Sequence, residues 1–272
     1  MTTLHITALT APLGATVHGL SPAQQPAPET AHALRKALDT HLLLLLKGMS
    51  VSPSQLVTFA ASFGEPASHG IVVGLAGHNC ITDIRKEPEH WQNYGGTWHS
   101  DLSFQTHPPV AAVLQAKELP TTGGDTLWSN QYLAYEGLPQ HLRERVDVLS
   151  AEHTSNIAFG GMAHDAVSTV HPLAPVHPRT GRRYLYVNPV SIVRLLANGD
   201  EVDDGAELLA HLIAHATQTQ LLYRHSWSVG DVLVWDNRST LHMAMNDYPG
   251  QRRVMHRVVV IDSANTRAPA PG

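Results

Sequence analysis

The chain has 272 residues, of which 43% are hydrophobic and 15% are charged, and this length can bury a core without disulfide or metal support. Its net charge of −5, with no run of Lys and Arg interleaved with aromatic residues, disfavours a nucleic-acid partner. The single cysteine, Cys80, cannot form an internal disulfide, and the first residues lack the features of a signal peptide, so we expect a cytoplasmic protein. The apolar runs are far shorter than the roughly 18 residues of a membrane span, so no membrane partner is expected.

The first third of the sequence predicts short strands and two helices. Loose alternation over residues 4–18 predicts two short strands, and a helix is predicted from about residue 29 to residue 39. Five consecutive leucines at 42–46 are typical of a strand buried on both faces, although a helix end can show the same pattern. A serine before Pro53, followed by apolar residues on one face, predicts a second helix that ends at Gly64.

Two irregular stretches, 66–98 and 154–169, are expected to be mobile loops beside an active site. The remaining predicted elements are a strand at 81–84, strands at 110–116 and 126–128, a helix at 132–146 broken at Pro139, a hairpin at 170–190 with its return strand at 184–187, a helix at 205–217, and strands at 221–227, 232–236, 241–244 and 253–262. Many short strands with few helices predict a mainly β protein with flanking helices, built as a double-sheet barrel or jelly roll in a single domain over 1–272.

A His-x-Asp triplet is the first candidate for chemistry. On an extended segment, residues i and i+2 project from the same face, so the imidazole of His99 and the carboxylate of Asp101 can converge on one cation. The chain has 19 histidines, so such a triplet also occurs by chance. A surface histidine beside a solvated aspartate is therefore the alternative interpretation.

His242, about 140 residues downstream, is the candidate for a third ligand. It follows a predicted strand and a polar bend, which suits a ligand that enters from the opposite side of a barrel mouth. Two histidines and one carboxylate form a facial triad that leaves metal positions open, as in non-haem Fe(II) oxygenases. A structural zinc site usually closes its shell with cysteines, and only Cys80 is present.

The last predicted strand carries two arginines on one face. Alternation sends Arg253 and Arg257 to the same side, where two guanidinium groups could bind two different anions. Alternatively, these arginines lie on a barrel rim, solvated or paired with acidic residues. The hydroxyl of Thr126, which follows a Gly-Gly turn, gains a role if it points at the anion that Arg253 binds.

With these residues in place, the chain resembles the Fe(II)/2-oxoglutarate-dependent dioxygenases of the taurine dioxygenase and 2,4-dichlorophenoxyacetate dioxygenase (TauD/TfdA) family over almost its whole length. The resemblance is carried by four segments, Trp98–Asp101, Ala116–Trp128, Trp235–Arg238 and Gln251–Arg257. It implies a double-stranded β-helix, a jelly roll of the cupin type. It also implies an enzyme that uses Fe(II), 2-oxoglutarate and O₂ and releases succinate and CO₂.

The resemblance also implies roles for individual residues. Iron is expected on His99, Asp101 and His242, and the distal carboxylate of 2-oxoglutarate on Arg253 and Thr126. Because Asp101 is present where related halogenases carry Ala or Gly, hydroxylation is favoured over halogenation.

For the substrate, the resemblance implies contacts from four residues, His69, Leu102, Phe159 and Arg257, and therefore a small anionic organic substrate. Val72, Gly95 and Ala158 stand where taurine dioxygenases carry larger or more polar residues, so the pocket is expected to be wider and less polar than taurine needs. A sulfonate, a sulfate ester and an aryloxyalkanoate all stay open, and hydroxylation beside a heteroatom would fragment the product.

Two other functions stay open at this point. One is a non-catalytic β-barrel protein that binds a small anion, and the other is a zinc-dependent hydrolase in which the metal activates water. The presence of Arg253 and Thr126 speaks against both, because neither function needs a second anion site at that spacing. Helix faces that could form a homo-oligomer interface are indistinguishable in sequence from faces that cover a core.

Overall fold

The computed structural model describes residues 4–20, 25–70, 72–158 and 166–262. Within these residues the helices are α1 (Pro28–His41), α2 (Pro53–Ala60), α3 (Gln131–Glu136), α4 (Gln140–Val146), α5 (Ser155–Ala158) and α6 (Gly205–Ala216). The strands are β1 (His5–Ala8), β2 (Ala15–His18), β3 (Leu43–Leu46), β4 (Glu65–Ala67), β5 (Gly74–Leu75), β6 (His78–Lys86), β7 (Ala111–Glu118), β8 (Thr126–Asn130), β9 (Leu149–Thr154), β10 (Ser168–Pro172), β11 (Ile192–Ala197), β12 (Asp200–Glu201), β13 (Leu222–His225), β14 (Val232–Asp236), β15 (Thr240–Ala244) and β16 (Arg253–Ile261). The protein is mainly β with flanking helices, as predicted. Over the described ranges, no helix combines the length and apolarity needed to traverse a bilayer.

The leucine run forms a strand that is buried on both faces. Leu42 ends α1 in the left-handed region, with φ 63°, and β3 begins at the next residue. Leu44 and Leu46 then pack in the core that lies against α1 and α2, whereas Leu43 and Leu45 pack in a second core with the tryptophans of β8 and β14. The prediction of a strand with two apolar faces is confirmed, and its first leucine serves instead as the helix cap.

The second helix begins as predicted and ends earlier than predicted. Ser52 accepts a hydrogen bond from the N–H of Gln55, and the Gln55 side chain accepts one from the N–H of Ser52, which forms a capping box. The helix stops at Ala60, four residues before Gly64, because the last residues tighten into turns.

Two sheets supply the residues considered below. The larger sheet has the strand order β1-β2-β3-β14-β7-β16-β6-β5, with β4 also on β16, and a smaller sheet has the order β13-β8-β15. Apolar side chains of β3, β7, β14 and β16 pack with Trp128 of β8 in the core between these sheets. A further sheet, β10-β9-β11-β12, packs against α3 and α6. Strand β15 belongs to the smaller sheet and β16 to the larger one, so the candidate site residues that they carry come from different sheets.

The prediction that residues 184–187 form the return strand of a hairpin at 170–190 is wrong. Strand β10 pairs with β9, and β9 pairs in turn with β11, a strand that was not predicted. Residues 184–187 are buried but outside any ladder: the N–H of Tyr186, for example, donates to the carbonyl of Leu173. Their alternation of aromatic and aliphatic residues reflects burial in an extended loop, which gives the same pattern as a strand.

The predicted loop at 66–98 holds more regular structure than expected, because β4, β5 and β6 all fall partly or wholly within it. In the second predicted loop, α5 occupies 155–158, and residues 159–165 lie outside the described residues. The helix predicted at 132–146 is divided at Pro139 into α3 and α4, as expected.

Candidate metal and anion site

Two histidines face each other across a backbone bridge. The N–H of His99 donates to the carbonyl of His242 at 2.9 Å, and the N–H of His242 donates back to the carbonyl of His99 at 2.8 Å. This pairing brings the ring centroids to 4.1 Å. Nδ1 of His99 lies 2.7 Å from the carbonyl of Thr97, which can only accept, so Nδ1 carries the proton and Nε2 keeps its lone pair. His99 is therefore held in the tautomer that a metal ligand requires.

Asp101 completes a cluster with these histidines. Its Oδ1 lies 3.8 Å from Nε2 of His99 and 3.9 Å from Nε2 of His242, and one ligand atom from each residue lies within 4.8 Å of the others. Both Oδ2 of Asp101 and Nδ1 of His242 are buried without a partner among the described residues. Two neutral imidazoles and a carboxylate fit a divalent transition metal, and the unpartnered Oδ2 is available as a further donor atom.

Asn237, which the sequence predicts only as part of a bend, holds the backbone of Asp101. The Asn237 side chain accepts a hydrogen bond from the N–H of Asp101 at 2.8 Å and donates to the Asp101 carbonyl at 3.0 Å. The next residue, Leu102, has φ 53°, a conformation that a leucine rarely adopts. This double contact fixes a strained turn at the cluster. Its sequence signal is the polar segment after Trp235, which does not reveal the contact.

Charge distribution at the cluster keeps Asp101 ionised and the histidines neutral. Burial opposes ionisation of Asp101, but Arg257, with Nη1 2.5 Å from Oδ1, and the two histidines lower the pKa of Asp101 to about 2. Burial lowers the pKa of His99, and burial together with His99 lowers the pKa of His242. Arg257 itself is desolvated, yet Asp101 and Tyr94 raise its pKa. These charge states are the ones in which all three candidate ligands bind metal.

Arg253 and Thr126 form a second polar site in the same cavity. The cavity is lined by both histidines, Thr126, Arg253 and Arg257. Arg253 is only 4% exposed, its Nε has no hydrogen-bond partner, and no carboxylate of the described residues lies within 4.0 Å of it. Burial lowers the pKa of this guanidinium. Asp125 and Asp247 act on Arg253 only from beyond ion-pair distance, and a buried cation without a direct counter-ion is costly, so this position fits an anionic ligand.

Gly124 makes room for that guanidinium. It has φ 73°, and a Cβ at this position would lie 3.2 Å from both Cδ and Nε of Arg253. The Gly-Gly turn predicted before Thr126 therefore allows the close approach of β8 and the arginine, in addition to forming a bend.

Among the residues predicted to contact substrate, Arg257, His69 and Leu102 lie beside the cluster. His69 and Leu102 line a wide opening together with His99 and Asp101. Nδ1 of His69 accepts the N–H of Val72 at 3.3 Å, so its Nε2 donates to the hydroxyl of Tyr94 at 3.2 Å. Burial, followed by the charge of Arg257, lowers the pKa of His69 to about 4, so His69 is neutral. Phe159 lies outside the described residues.

Tyr94 was missed in the sequence analysis and lies between two of these residues. Its ring is 5.6 Å from the guanidinium carbon of Arg257, and its hydroxyl contacts His69. Nothing in the local sequence, an irregular Gly- and Asn-rich stretch, distinguishes this tyrosine from a surface residue. The adjoining Gly95 leaves space above the cluster, because a Cβ there would lie 3.1 Å from Cε1 of His99.

A second cluster, Asp39, His177 and Asp236, has ligand atoms just as close together, but its hydrogen bonds exclude a metal. Nδ1 of His177 accepts the backbone N–H groups of residues 179 and 180, so Nε2 carries the proton and donates to Asp236 at 3.1 Å. Arg179 binds Asp39, and Arg238 binds Asp236 at 2.8 Å. This cluster is a buried ion network that supports the strand before His242.

Comparison with known proteins agrees with this geometry. Residues 5–259 match the family described as "Taurine catabolism dioxygenase TauD, TfdA family". The pentalenolactone F synthase of Streptomyces arenae is 33% identical, over 92% of this chain and 93% of that protein. The alpha-ketoglutarate-dependent sulfate ester dioxygenase of Pseudomonas putida is 30% identical, over 91% of this chain and 86% of that protein. A solved taurine dioxygenase from Burkholderia xenovorans has a TM-score of 0.82 and 31% identity, covering 96% of this chain and 90% of that chain.

Proposed function

Because the chain belongs to the taurine catabolism dioxygenase TauD, TfdA family and is thus a 2-oxoglutarate-dependent dioxygenase, we propose that it is an Fe(II) enzyme that hydroxylates a small anionic organic substrate. The proposed metal ligands are His99, Asp101 and His242. Thr126 and Arg253 are the proposed partners of the distal carboxylate of 2-oxoglutarate. When bound there, iron supplies oxidative chemistry that consumes O₂ and 2-oxoglutarate, inserts a hydroxyl group at a C–H bond, and releases succinate and CO₂.

The observation that carries this proposal is a cavity that joins the two histidines of the His-Asp-His cluster to a buried arginine with no carboxylate at ion-pair distance among the described residues. The cluster alone would suit many divalent-metal proteins. Arg253 adds a cation with no carboxylate partner among the described residues, beside the Thr126 hydroxyl at 3.4 Å. A dianionic co-substrate can bridge the two sites, with one carboxylate toward the metal and the other on Arg253.

Each residue of the site has a task that its own contacts support. The carbonyl of Thr97 keeps the lone pair of His99 directed at the cluster. Asn237 holds the turn that presents Asp101. Arg257, whose Nη1 contacts the same Oδ1 of Asp101 that lies near the two histidines, is the charge that receives the anionic group of the substrate.

The opening beside the cluster favours a substrate with an apolar body. It is lined by Trp91, Tyr94, Leu102, Phe104 and Val190 together with polar loop residues, and Trp91 is 81% exposed. An anion on Arg257 would leave the rest of the substrate against these apolar and aromatic side chains. We therefore favour a sulfate ester, an aryloxyalkanoate or a larger sulfonate over taurine itself. Hydroxylation at the carbon beside the ester or ether oxygen would release the anion or the phenol.

The two functions left open by the sequence gain no support from these contacts. A zinc hydrolase has no use for Arg253, and a protein that only binds an anion has no use for a three-ligand cluster that includes a tautomer-fixed histidine.

The deciding experiment is substrate-dependent succinate formation. The protein, loaded with Fe(II) in the presence of 2-oxoglutarate and O₂, is given a panel of alkyl sulfates, aryloxyalkanoates, alkyl sulfonates and neutral analogues of matched size. We expect an anionic member to raise succinate production well above the rate without substrate, and its neutral analogue to have little effect. An Fe(II)-loaded protein that never converts 2-oxoglutarate to succinate would contradict the proposal.

Four further expectations belong to this proposal. The two facing sheets would form a double-stranded β-helix in a single domain, and the described parts of the loops at 66–98 and 154–169 that lie outside their strands and helix would be mobile at the cavity mouth. A cytoplasmic location and a homo-oligomer would be tested by fractionation and by light scattering of the purified protein.

A further inference from the structure

The hydroxyl of Thr126 is surrounded by donors. It accepts a hydrogen bond from the indole Nε1–H of Trp227 at 3.0 Å and a longer one from Nη2 of Arg253 at 3.4 Å. Indole and guanidinium nitrogens donate and cannot accept, so both lone pairs of the hydroxyl are occupied. No acceptor among the described residues takes the hydroxyl proton of Thr126. The proton is therefore free to be donated to a ligand in the cavity that Thr126 lines.

The ring of His225 holds Trp227 in place. The ring of His225 meets it edge to face, with centroids 4.7 Å apart. Nε2 of His225 lies 3.1 Å from the carboxylate of Asp231, and the hydroxyl of Tyr223 donates to Nδ1 at 2.9 Å. Asp231 is buried and also accepts the backbone N–H groups of Gly48 and residue 228. The indole thus rests on a hydrogen-bonded chain that fixes its orientation.

This arrangement distinguishes Trp227 from its neighbours. Trp128 and Trp235 belong to the same aromatic cluster, and their Nε1 atoms are buried without a hydrogen-bond partner. Only packing explains those two side chains. Trp227, in contrast, donates its indole N–H to the Thr126 hydroxyl, which faces the proposed co-substrate.

We propose that Trp227 is a positioning residue for 2-oxoglutarate, which acts by directing the hydroxyl proton of Thr126 at the distal carboxylate. This inference rests on the proposed role of Thr126 and Arg253. With the indole N–H in place, a lone pair of Thr126 Oγ1 is satisfied and the proton points into the cavity. Without it, the hydroxyl can rotate and turn a lone pair toward the carboxylate, so part of a charge-assisted hydrogen bond is lost.

The test is an anaerobic titration of the Fe(II)-loaded protein with 2-oxoglutarate, followed by the visible charge-transfer band. For Trp227→Phe, which keeps the aromatic packing and removes the N–H, we expect the dissociation constant of 2-oxoglutarate to rise roughly three- to tenfold. The Fe(II) dissociation constant should stay unchanged, and succinate formation should recover as 2-oxoglutarate saturates. If Trp227→Phe folds poorly, 3-benzothienylalanine at position 227 replaces the N–H by sulfur in a ring of the same shape.

Coupling to Thr126 separates this role from packing. Thr126→Val should weaken 2-oxoglutarate binding by itself, and adding Trp227→Phe to it should weaken binding no further. Trp128→Phe, which shortens a neighbouring indole with an unused N–H, should leave the dissociation constant near that of the unmodified protein. Unchanged affinity in Trp227→Phe, or additive losses in the double variant, would overturn the inference. Failure of the co-substrate site itself would look different, because Thr126→Val and Arg253→Ala would then bind 2-oxoglutarate normally.

Discussion

Arg257 and Asp101 form a buried ion pair, and the carboxylate oxygen that contacts the guanidinium is also the one that lies near the two histidines. Nη1 of Arg257 lies 2.5 Å from Oδ1 of Asp101, and the same Oδ1 lies 3.8 Å and 3.9 Å from the histidine nitrogens. A metal held by the cluster would weaken the hold of Asp101 on the guanidinium. Metal binding would therefore leave Arg257 better able to receive the anionic group of the proposed substrate.

Replacing Arg257 should affect the substrate far more than the co-substrate. We expect Arg257→Ala to raise the KM for an anionic substrate at least tenfold, because a buried charge-assisted contact is lost, and to change the KM for 2-oxoglutarate little. Steady-state kinetics on both compounds provide the measurement. Arg252→Ala is the matched control, since Arg252 lies on the same segment but is paired with Glu87 and Glu118 at the surface. Equal effects of Arg257→Ala on both KM values would contradict the assignment.

Removal of the Asp101 carboxylate should abolish turnover. Asp101→Ala is expected to eliminate succinate formation and Fe(II) binding. It also leaves Arg257 buried and unpaired, a change that typically costs about 3–5 kcal/mol. Asp101→Asn, which keeps the shape and an acceptor for Arg257, separates the two effects and should fold better while staying inactive. The exposed Asp203→Ala serves as the control, and full succinate production by either Asp101 variant would rule out the proposed ligand set.

A methyl group at position 124 should weaken co-substrate binding specifically. In Gly124→Ala, the new Cβ would lie 3.1 Å from Cγ of Pro120 and 3.2 Å from Cδ and Nε of Arg253, so these neighbours must shift slightly, and we expect a several-fold rise in the KM for 2-oxoglutarate. Gly181 has a similar φ, 70°, and no atom within 4 Å of its own added Cβ. Gly181→Ala should therefore share the backbone cost of about 1 kcal/mol and leave this KM unchanged. Identical KM values for the two variants would show that Arg253 tolerates the methyl group or does not bind 2-oxoglutarate.

The Asp236 network should stabilise the fold at neutral pH and lose that effect in acid. Burial opposes ionisation of Asp236, but Arg238 and His177 hold the pKa of its carboxyl far below the usual value. Its contribution is therefore complete above the unfolded-state pKa of about 3.9 and declines as the pH falls below that value. Asp236→Asn should lower the free energy of unfolding by about 3 kcal/mol at pH 7.

Urea unfolding at pH 7 and near pH 3 would measure this difference. The difference in the free energy of unfolding between Asp236→Asn and the unmodified protein should be smaller at the lower pH. Asp147→Asn, in a half-exposed surface contact with Tyr135 and Arg183, should change the free energy of unfolding little at either pH. A gap that stays constant with pH would mean that the network does not depend on the charge of Asp236.

The sequence reveals the candidate ligands because their signal is local. His99 and Asp101 are two residues apart, and Arg253 and Arg257 alternate along one strand, so periodicity alone aligns each pair. His99, Arg253 and Arg257 do line one cavity with His242, and Asp101 belongs to the cluster that the two histidines form beside it. The fold class follows equally well from strand and turn patterns, as the divided helix at Pro139 and the doubly buried leucine strand illustrate.

The residues that the sequence does not reveal have roles that depend on contacts between distant segments. Asn237 reaches Asp101 across 136 positions, and Tyr94 becomes notable only once His69 and Arg257 lie beside it. His177 and Asp236 had no visible link because their contact requires the loop before residue 184 to pack on β14. Loop residues with such partners carry no periodicity, so pattern analysis assigns them to the surface.

The backbone bridge between His99 and His242 has a consequence for the biosynthesis of the protein. Each histidine needs the other's main chain to reach its place, so the first half of the polypeptide cannot assemble a metal-binding pocket during translation. Capture of the proposed iron would therefore wait until strand β15, which carries His242, has been synthesised and has paired with the segment at His99.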